Sequence, residues 1–302
     1  MTETKIESET RCGFCAIIGA PNAGKSTLVN ALAGAKVSIV SHKVQTTRSR
    51  LRAIVIAGQS QIIFVDTPGI FKPKRTLDEA MVEGAWAGAS EADAVVLLAD
   101  LRKGLNDEVL AIIEGLKKSG IEAFLALNKI DLVKPEVLLD MARKFNEAFA
   151  FRETFMISAL NKSGIDKLKE KISGLMPQGP WLYAEDQIAD VPLRFLAAET
   201  TREKLYERLH EELPYASTVE TEKWEERKDG SVRIDQVVYV ERESQRKIVL
   251  GKNGQTIKAL GQAARLDLEK ALERRVHLFL FVKVRENWAK DPERLRMMGL
   301  LD

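Results

Sequence analysis

The chain has 302 residues, of which 45% are apolar and 30% charged, with a formal net charge of +2. That is material for two ordinary domains with buried cores, and it excludes a disordered or broadly basic chain. Neither side of Pro180 has a strong excess of one charge, so a nucleic-acid or membrane partner must meet a local patch. The N-terminal MTETKIESETR is polar and acidic, unlike a signal peptide, and no apolar run reaches membrane-spanning length. Two cysteines, Cys12 and Cys15, stand in RCGFC. On a strand, residues three apart face opposite sides, and a structural zinc needs four ligands. With His42, His210 and His277 scattered, the pair reads as an ordinary strand entry in a reducing cytoplasm.

Residues 13–175 alternate regularly. Short apolar runs, FCAIIG (14–19), QIIFVD (61–66), DAVVLLAD (93–100), EAFLALN (122–128) and ETFMIS (153–158), are separated by amphipathic stretches. In NDEVLAIIEGLKKSG the apolar positions 109, 112, 113 and 116 follow helical spacing. Continuous apolar strands between helices predict a mostly parallel sheet covered on both faces. LRAIVIAG (51–58) meets QIIFVD across a short turn and predicts a hairpin. Prolines, a glycine and an aromatic pair at 175–190 predict a linker. Beyond it the order changes to helix, strand, strand, helix, GKNG, helix, strand. The first helix is expected over VPLRFLAAETTREKLYERLHEEL and the last strand over VHLFLFVKVRE.

GAPNAGKS (19–26) matches G-x-x-x-x-G-K-[ST] between a strand and a helix. In that context the backbone of Gly19, Asn22, Ala23 and Gly24 cradles phosphates, beside Ser26 and Thr27 at the helix start. Lys25 neutralises the β and γ phosphates, and the Ser26 hydroxyl suits Mg²⁺. DTPG (66–69) closes the next parallel strand: Asp66 suits the Mg²⁺ shell, and the Gly69 N–H, after Thr67, suits a γ-phosphate. Asn128, Lys129 and Asp131 of NKID close another strand. The Asp131 carboxylate can accept from the N1–H and N2–H₂ edge of guanine, which adenine lacks. Ser158, Ala159 and Leu160 close a third, where backbone can meet the guanine O6. The four elements, each at a strand's carboxyl end, predict a GTP/GDP site.

These residues resemble the translation-factor class of GTPases, in which a first-switch threonine completes the Mg²⁺ shell. In KVQTTRSR (43–50) the candidates are Thr46 and Thr47, with Thr47 the choice. Lys25, Thr47, Asp66 and Gly69 are thus the candidate catalytic set. Ile70 stands where many GTPases place a water-orienting glutamine, so slow intrinsic turnover is expected. Asn22 resembles a residue that holds K⁺ in some related GTPases; simple shaping of the loop is the alternative.

GKNG (251–254) has no following K-[ST], and no DxxG or NKxD comes after it. From Ser244 to Arg265 the chain carries Arg246, Lys247, Lys252, Lys258 and Arg265 and no acidic residue. A GxxG turn between two helices beside a sheet resembles a type II KH domain, which implies that the loop clamps a single-stranded RNA backbone. The expected contacts are Arg246, Lys247, Gly251, Lys252, Asn253, Gly254 and Lys258. Phe279, Phe281, Trp224 and Tyr239 are expected in the sheet core rather than stacked on bases.

Taken together, QTTR, DTPG, ELPY (212–215) and VLGKNGQTIKALG resemble the Era family of bacterial GTPases across residues 10–300. The resemblance implies an α/β P-loop GTPase domain (1–178), a linker (179–190) and an α+β type II KH domain with a C-terminal extension (191–302). It implies a monomeric switch protein that uses GTP and Mg²⁺. It also implies binding near the 3′ end of 16S ribosomal RNA, a role in 30S subunit assembly and peripheral association with the inner membrane. The expected mechanism is a nucleotide-driven change in the loops at 43–50 and 67–80 that alters access to the RNA face. A nucleotide-stabilised scaffold with negligible turnover is the alternative that Ile70 leaves open.

Overall fold

In a computed structural model, which describes residues 10–41, 43, 46–49, 51–298 and 300, the chain divides into two compact units. The first runs to Val37 and resumes at Thr47–Asp190; the second comprises Ser38–Thr46 and the chain from Val191 onward. Of the stretches singled out above, the N-terminal 1–9, His42, and Val44, Gln45 and Arg50 of the first switch lie outside the described residues.

The first unit is a six-stranded sheet in the order β2-β3-β1-β4-β5-β6. Its strands are β1 (Arg11–Ile18), β2 (Leu51–Ala57), β3 (Ser60–Asp66), β4 (Ala94–Asp100), β5 (Phe124–Asn128) and β6 (Thr154–Ile157). Only β2 is antiparallel to its neighbour. The helices are α1 (Lys25–Ala33), α2 (Thr76–Ser90), α3 (Asp107–Ser119), α4 (Pro135–Ala148) and α5 (Ile165–Ser173). Two core layers explain the unbroken apolar runs. Ile17, Val96 and Phe64 pack on one face with Leu28 of α1 and Leu168 of α5, and Ile18, Leu97 and Leu125 pack on the other with Ala85 of α2 and Ile112 of α3. Both sides of each central strand are dry, so alternation disappears. Cys15 lies in the first layer, where burial pushes its thiol up, while Cys12 donates to Gln61; both are free.

Residues 179–190 are tied to this unit. Ile54 N–H donates to the Ile188 carbonyl, Asp190 N–H donates to that of Arg52, and Ala53 bridges Ala189 in antiparallel fashion. The segment therefore caps the outer edge of β2, which would otherwise present unpaired backbone groups. Its other end is clamped by Gln61, fully buried on β3. The Gln61 Oε1 accepts from the N–H groups of Leu182 and Tyr183 at 2.9 and 3.0 Å, and its Nε2 donates to the Tyr183 carbonyl at 2.8 Å.

The second unit has a three-stranded sheet, β7 (Ser217–Glu226), β8 (Val232–Val240) and β9 (Val276–Val284), in that order. β7 and β8 are antiparallel, with a register shift between Thr221 and Lys223, and β8 and β9 are parallel. The parallel pair needs a crossover, which α7 (Glu243–Leu250) and α8 (Gln255–Leu272) supply; α6 (Leu193–Arg208) packs beside them. The helix expected through Leu213 ends at Arg208, because Leu209 turns to extended backbone and is buried with Leu213 against Val219 and Val238. Within this unit the arm Ser38–Thr46 lies on α6: Val40 N–H donates to Glu203 at 2.9 Å, and Lys43 donates to the Leu209 carbonyl at 2.6 Å. Lys43 also donates to the Tyr206 carbonyl, and Arg202 to that of Thr46. The C-terminal segment, which includes α9 (Pro292–Met297), is folded onto the unit. Trp288 is buried and donates to the Ala216 carbonyl, and buried Arg294 pairs with Glu220 and lies 4.2 Å from the centroid of Tyr239.

Gln61→Leu removes three hydrogen bonds to the partly buried backbone of Leu182 and Tyr183, each worth about 0.5–1.5 kcal/mol. The first unit is expected to lose about 2 kcal/mol or more in urea unfolding, with faster proteolysis within 181–190 and the second unit's transition unmoved.

Candidate functional site

The loops that follow β1, β3, β5 and β6 all lie at the carboxyl ends of parallel strands, where an open α/β sheet presents ligand sites. Gly19 passes so close to β4 that a Cβ would stand 2.4 Å from the Leu98 carbonyl oxygen. Asn22 and Gly24 are left-handed, at φ 63° and 102°, and Gly24 is the N-cap of α1. Lys25 is buried, and its Nζ donates to the carbonyls of Gly19 and Ala20 at 3.0 and 3.1 Å. Burial pulls this ammonium down to about 8, against the pull of the Asp66 and Glu108 charges.

Three oxygens converge beside Lys25. The Ser26 hydroxyl lies 2.7 Å from that of Thr47 and donates to Asp66 Oδ2 at 2.8 Å; Thr47 donates to the same carboxylate oxygen at 3.3 Å. Thr46 is turned away, with its hydroxyl donating to the Lys43 carbonyl. Two hydroxyls and a carboxylate are the hard-oxygen set that suits a small divalent cation. Thr67 is buried, its hydroxyl on the Ile17 carbonyl, and a Cβ at Gly69 would meet Pro21 at 3.1 Å. Ile70 is core: it is buried in the α2/α3 layer, and its N–H donates to the Gly19 carbonyl.

Asn128 joins three loops. Its buried amide donates to the Ala23 carbonyl at 2.8 Å and accepts from Ala159 N–H at 3.0 Å. The Lys129 ammonium reaches the Asn22 carbonyl and Asp100 Oδ2, both at 2.7 Å. Asp131 is exposed in a short 3₁₀ turn, and buried Ser158 accepts from Asn161 N–H. Ala159 is buried, whereas Leu160 is exposed. Asp100, at the end of β4, went unnoticed in the sequence, although it terminates an apolar strand as Asp66 does. Burial works against its charge, but hydrogen bonds from Arg102 and Lys129 outweigh that and hold the carboxyl below its ordinary range.

In the second unit GKNG forms a 3₁₀ turn between α7 and α8. Gly251 (φ 72°, ψ 174°) adopts a backbone that only glycine takes readily, and a Cβ there would meet Thr256 Oγ1 at 2.1 Å. Asn253 and Gly254 are left-handed, and a Cβ on Gly254 would meet nothing within 4 Å. Lys247, Lys252, Asn253 and Lys258 are exposed around the turn, and none of the three lysines has a carboxylate partner among the described residues. Arg246 differs: it pairs with Glu243 at 2.8 Å, and its Nε donates to the Val282 carbonyl. The aromatic expectation needs correction. Trp224 packs against the inner layer of the sheet and Tyr239 lies under Arg294, but Phe279 and Phe281 point away from the core and are 43% and 50% exposed.

Residues 14–129 match a family model described as "50S ribosome-binding GTPase", and residues 212–289 match one described as "KH domain". A GTPase Era of Brucella suis is 63% identical over 97% of this chain and 94% of its own length. That of Agrobacterium fabrum is 64% identical over 96% and 92%. Among solved structures, a point variant of Aquifex aeolicus Era bound to GDP.AlF4- is 36% identical and superposes with a TM-score of 0.91 over 97% of this chain and all of that one. Era in complex with MgGDPNP and nucleotides 1506–1542 of 16S ribosomal RNA is 37% identical, with the same score and coverage. A GTPase fold with its phosphate loop closed by Asn128, followed by a KH fold, matched along nearly its whole length at this identity, belongs to the GTPase Era family.

Proposed function

We propose that the chain is a GTP-hydrolysing switch whose first half (1–178) binds GTP or GDP with Mg²⁺ and whose second half (191–302) grips single-stranded RNA near the 3′ end of 16S ribosomal RNA during 30S assembly. The convergence of Ser26, Thr47 and Asp66 beside the buried Lys25 carries the nucleotide half of this reading. These three oxygens would hold Mg²⁺, which supplies positive charge to the β and γ phosphates. Lys25 trades its two carbonyl partners for phosphate oxygens, and backbone N–H groups at the start of α1 complete the cradle. Asp131, in solvent, is left to read the guanine edge. A complex of a 37% identical Era with a 16S fragment supports the RNA half, as do the open Cβ position of Gly254 and the unpaired lysines beside it.

Ile70 is in the core and cannot orient water, which supports the reading of slow intrinsic turnover. Asn22 stands where a monovalent cation could add the missing positive charge, held left-handed with its carbonyl on Lys129. Thr46, held by Arg202, immediately precedes Thr47, so a change at Thr47 on hydrolysis passes directly into the 38–46 arm. That continuity supports a reading in which nucleotide state alters access to the RNA face.

Crosslinking the protein to RNA in cells and sequencing the attached RNA tests the reading as a whole. Recovery of small-subunit ribosomal RNA ends is expected, and unselected RNA would reduce the second half to a general RNA binder. In vitro, Gly254→Asp puts a carboxylate where the RNA backbone should pass; RNA binding is expected to disappear and GDP affinity to remain. Hydrolysis is expected to run faster in potassium than in sodium, and Asn22→Ala to erase the difference; equal rates in the two salts for the original chain remove the cation role. Phosphates favour charged Lys25, whose ammonium burial pulls down to about 8. Binding is therefore proton-neutral below that value and takes up a proton above it. Calorimetry of GDP binding above that value, in buffers of different ionisation enthalpy, should show proton uptake; no buffer dependence contradicts the assignment.

A further inference from the structure

β4 and β5 run side by side and end level. Asp100 lies opposite Asn128 in the register, and Leu101 N–H donates to the Asn128 carbonyl at 3.0 Å. Beyond this rung the chain leaving β5 turns sharply. Lys129 is left-handed, at φ 67°, and caps the 3₁₀ turn Ile130–Leu132 in which Asp131 sits. A side chain with a Cβ keeps that backbone only when something outside the turn fixes it. Asp131 itself is exposed, so its aim comes from the backbone of this turn.

The fixing element is the Lys129 ammonium. Asp100 Oδ2 and the Asn22 carbonyl both hold it at 2.7 Å. Asn22 belongs to the phosphate loop and is left-handed too, at φ 63°. Lys129 thus ties the turn that carries Asp131 to the loop that cradles phosphates, and Asp100 is the charged member of that tie. The carboxylate is well anchored. It is buried, its Oδ1 accepts from the Arg102 N–H and Nε at 3.1 Å each, and its Oδ2 accepts from Arg102 Nη2 at 2.8 Å as well as from Lys129. Four donors occupy the four lone-pair positions of a carboxylate, so rotation breaks several bonds at once. An amide in its place would set an NH₂ group against two of those donors.

A guanine nucleotide is gripped at both ends, the base by Asp131 and the phosphates by the loop Gly19–Ser26. Two parallel hydrogen bonds from one base edge to one carboxylate tolerate little misplacement, and a grip set in advance costs less on binding. We propose that Asp100 is a positioning residue that sets the selectivity for guanine: by holding Lys129 it fixes the backbone that aims Asp131 and the spacing of that turn from the phosphate loop. This rests on the reading of Asp131 as the guanine reader, and it assigns the aiming to a residue at the end of a different strand.

The test uses the full chain with Mg²⁺ and measures GDP and inosine diphosphate in competition with a fluorescent GDP. Inosine diphosphate keeps the N1–H and lacks the N2 amino group, so the ratio of the two affinities reports the second hydrogen bond to Asp131. The original chain is expected to prefer GDP by roughly tenfold. Asp100→Asn is expected to weaken GDP binding roughly tenfold and to bring the two affinities within about threefold of each other. A general loosening of the domain would lower both affinities and leave their ratio. Lys129→Met removes the link through which Asp100 acts; it should contract the ratio as much, and Asp100→Asn added to it should contract it no further. An effect passing through Arg102 would persist in that background. If Asp100→Asn weakens both nucleotides alike, or if the double variant loses further selectivity, the proposal is wrong. Should Asp100→Asn fail to fold, an unchanged ratio in Lys129→Met overturns it as well. If the original chain binds the two nucleotides equally, the reading of Asp131 fails instead.

Discussion

The nucleotide half turns on one side chain, the amide of Asn128. It donates to the phosphate loop through the Ala23 carbonyl and accepts from the loop after β6 through the Ala159 N–H. Only a neutral amide of this length offers a donor and an acceptor in opposite directions here; an aspartate offers no donor and a leucine neither. The fit is tight enough that a Cβ on Gly24 would stand 2.5 Å from the Asn128 nitrogen. The glycine of G-K-S and the asparagine of N-K-I-D, far apart in the chain, therefore constrain each other. Both depend on the sheet order, which sets β5 between β4 and β6 and brings the strand ends to one side.

A second cross-link runs beside the first. Asp100 holds Lys129, and Lys129 holds the Asn22 carbonyl. Lys129 and Asn22 are both left-handed non-glycine residues, a conformation that persists only when the surroundings fix it. The ion pair is half of a larger cluster, because Arg102 closes on the same carboxylate at 2.8 Å. A buried carboxylate with one cation would be a poor stabilising element, since desolvation offsets much of the attraction. With two cations and a backbone N–H from Arg102 it remains charged. The result is a rigid frame around the phosphate loop rather than a large contribution to stability.

Much of this was legible in the sequence, for a physical reason. Phosphate cradles and base-reading loops need glycines, a lysine and short polar runs at strand ends, and these leave dense local patterns. The alternation of apolar runs and helices pointed to the sheet. What lay hidden depended on neighbours distant in the chain. Gln61 sits in an apolar strand and looks like a surface position, yet it is buried because residues 182 and 183 return to cover it. Trp288 and Arg294 occupy a stretch of mixed charge with no evident periodicity, and their burial follows from docking on β7 and β8. The aromatics of VHLFLFVKV were misplaced because alternation tells which residues share a face but not which face is covered.

The two glycine loops finally differ less in composition than in what surrounds them. Each ends in a left-handed glycine that caps a helix, Gly24 before α1 and Gly254 before α8, and each carries a left-handed asparagine nearby, Asn22 or Asn253. The backbone chemistry offered to an anion is similar in both. At Gly24 the space of a side chain is taken by the Asn128 amide, so the loop is closed on that side. At Gly254 the same space is empty, and exposed lysines flank it. A closed cradle suits the end of a molecule, such as a triphosphate tail. An open one lets a polymer pass, because nothing behind the glycine stops the chain. The enclosure, rather than the glycines themselves, distinguishes the two loops.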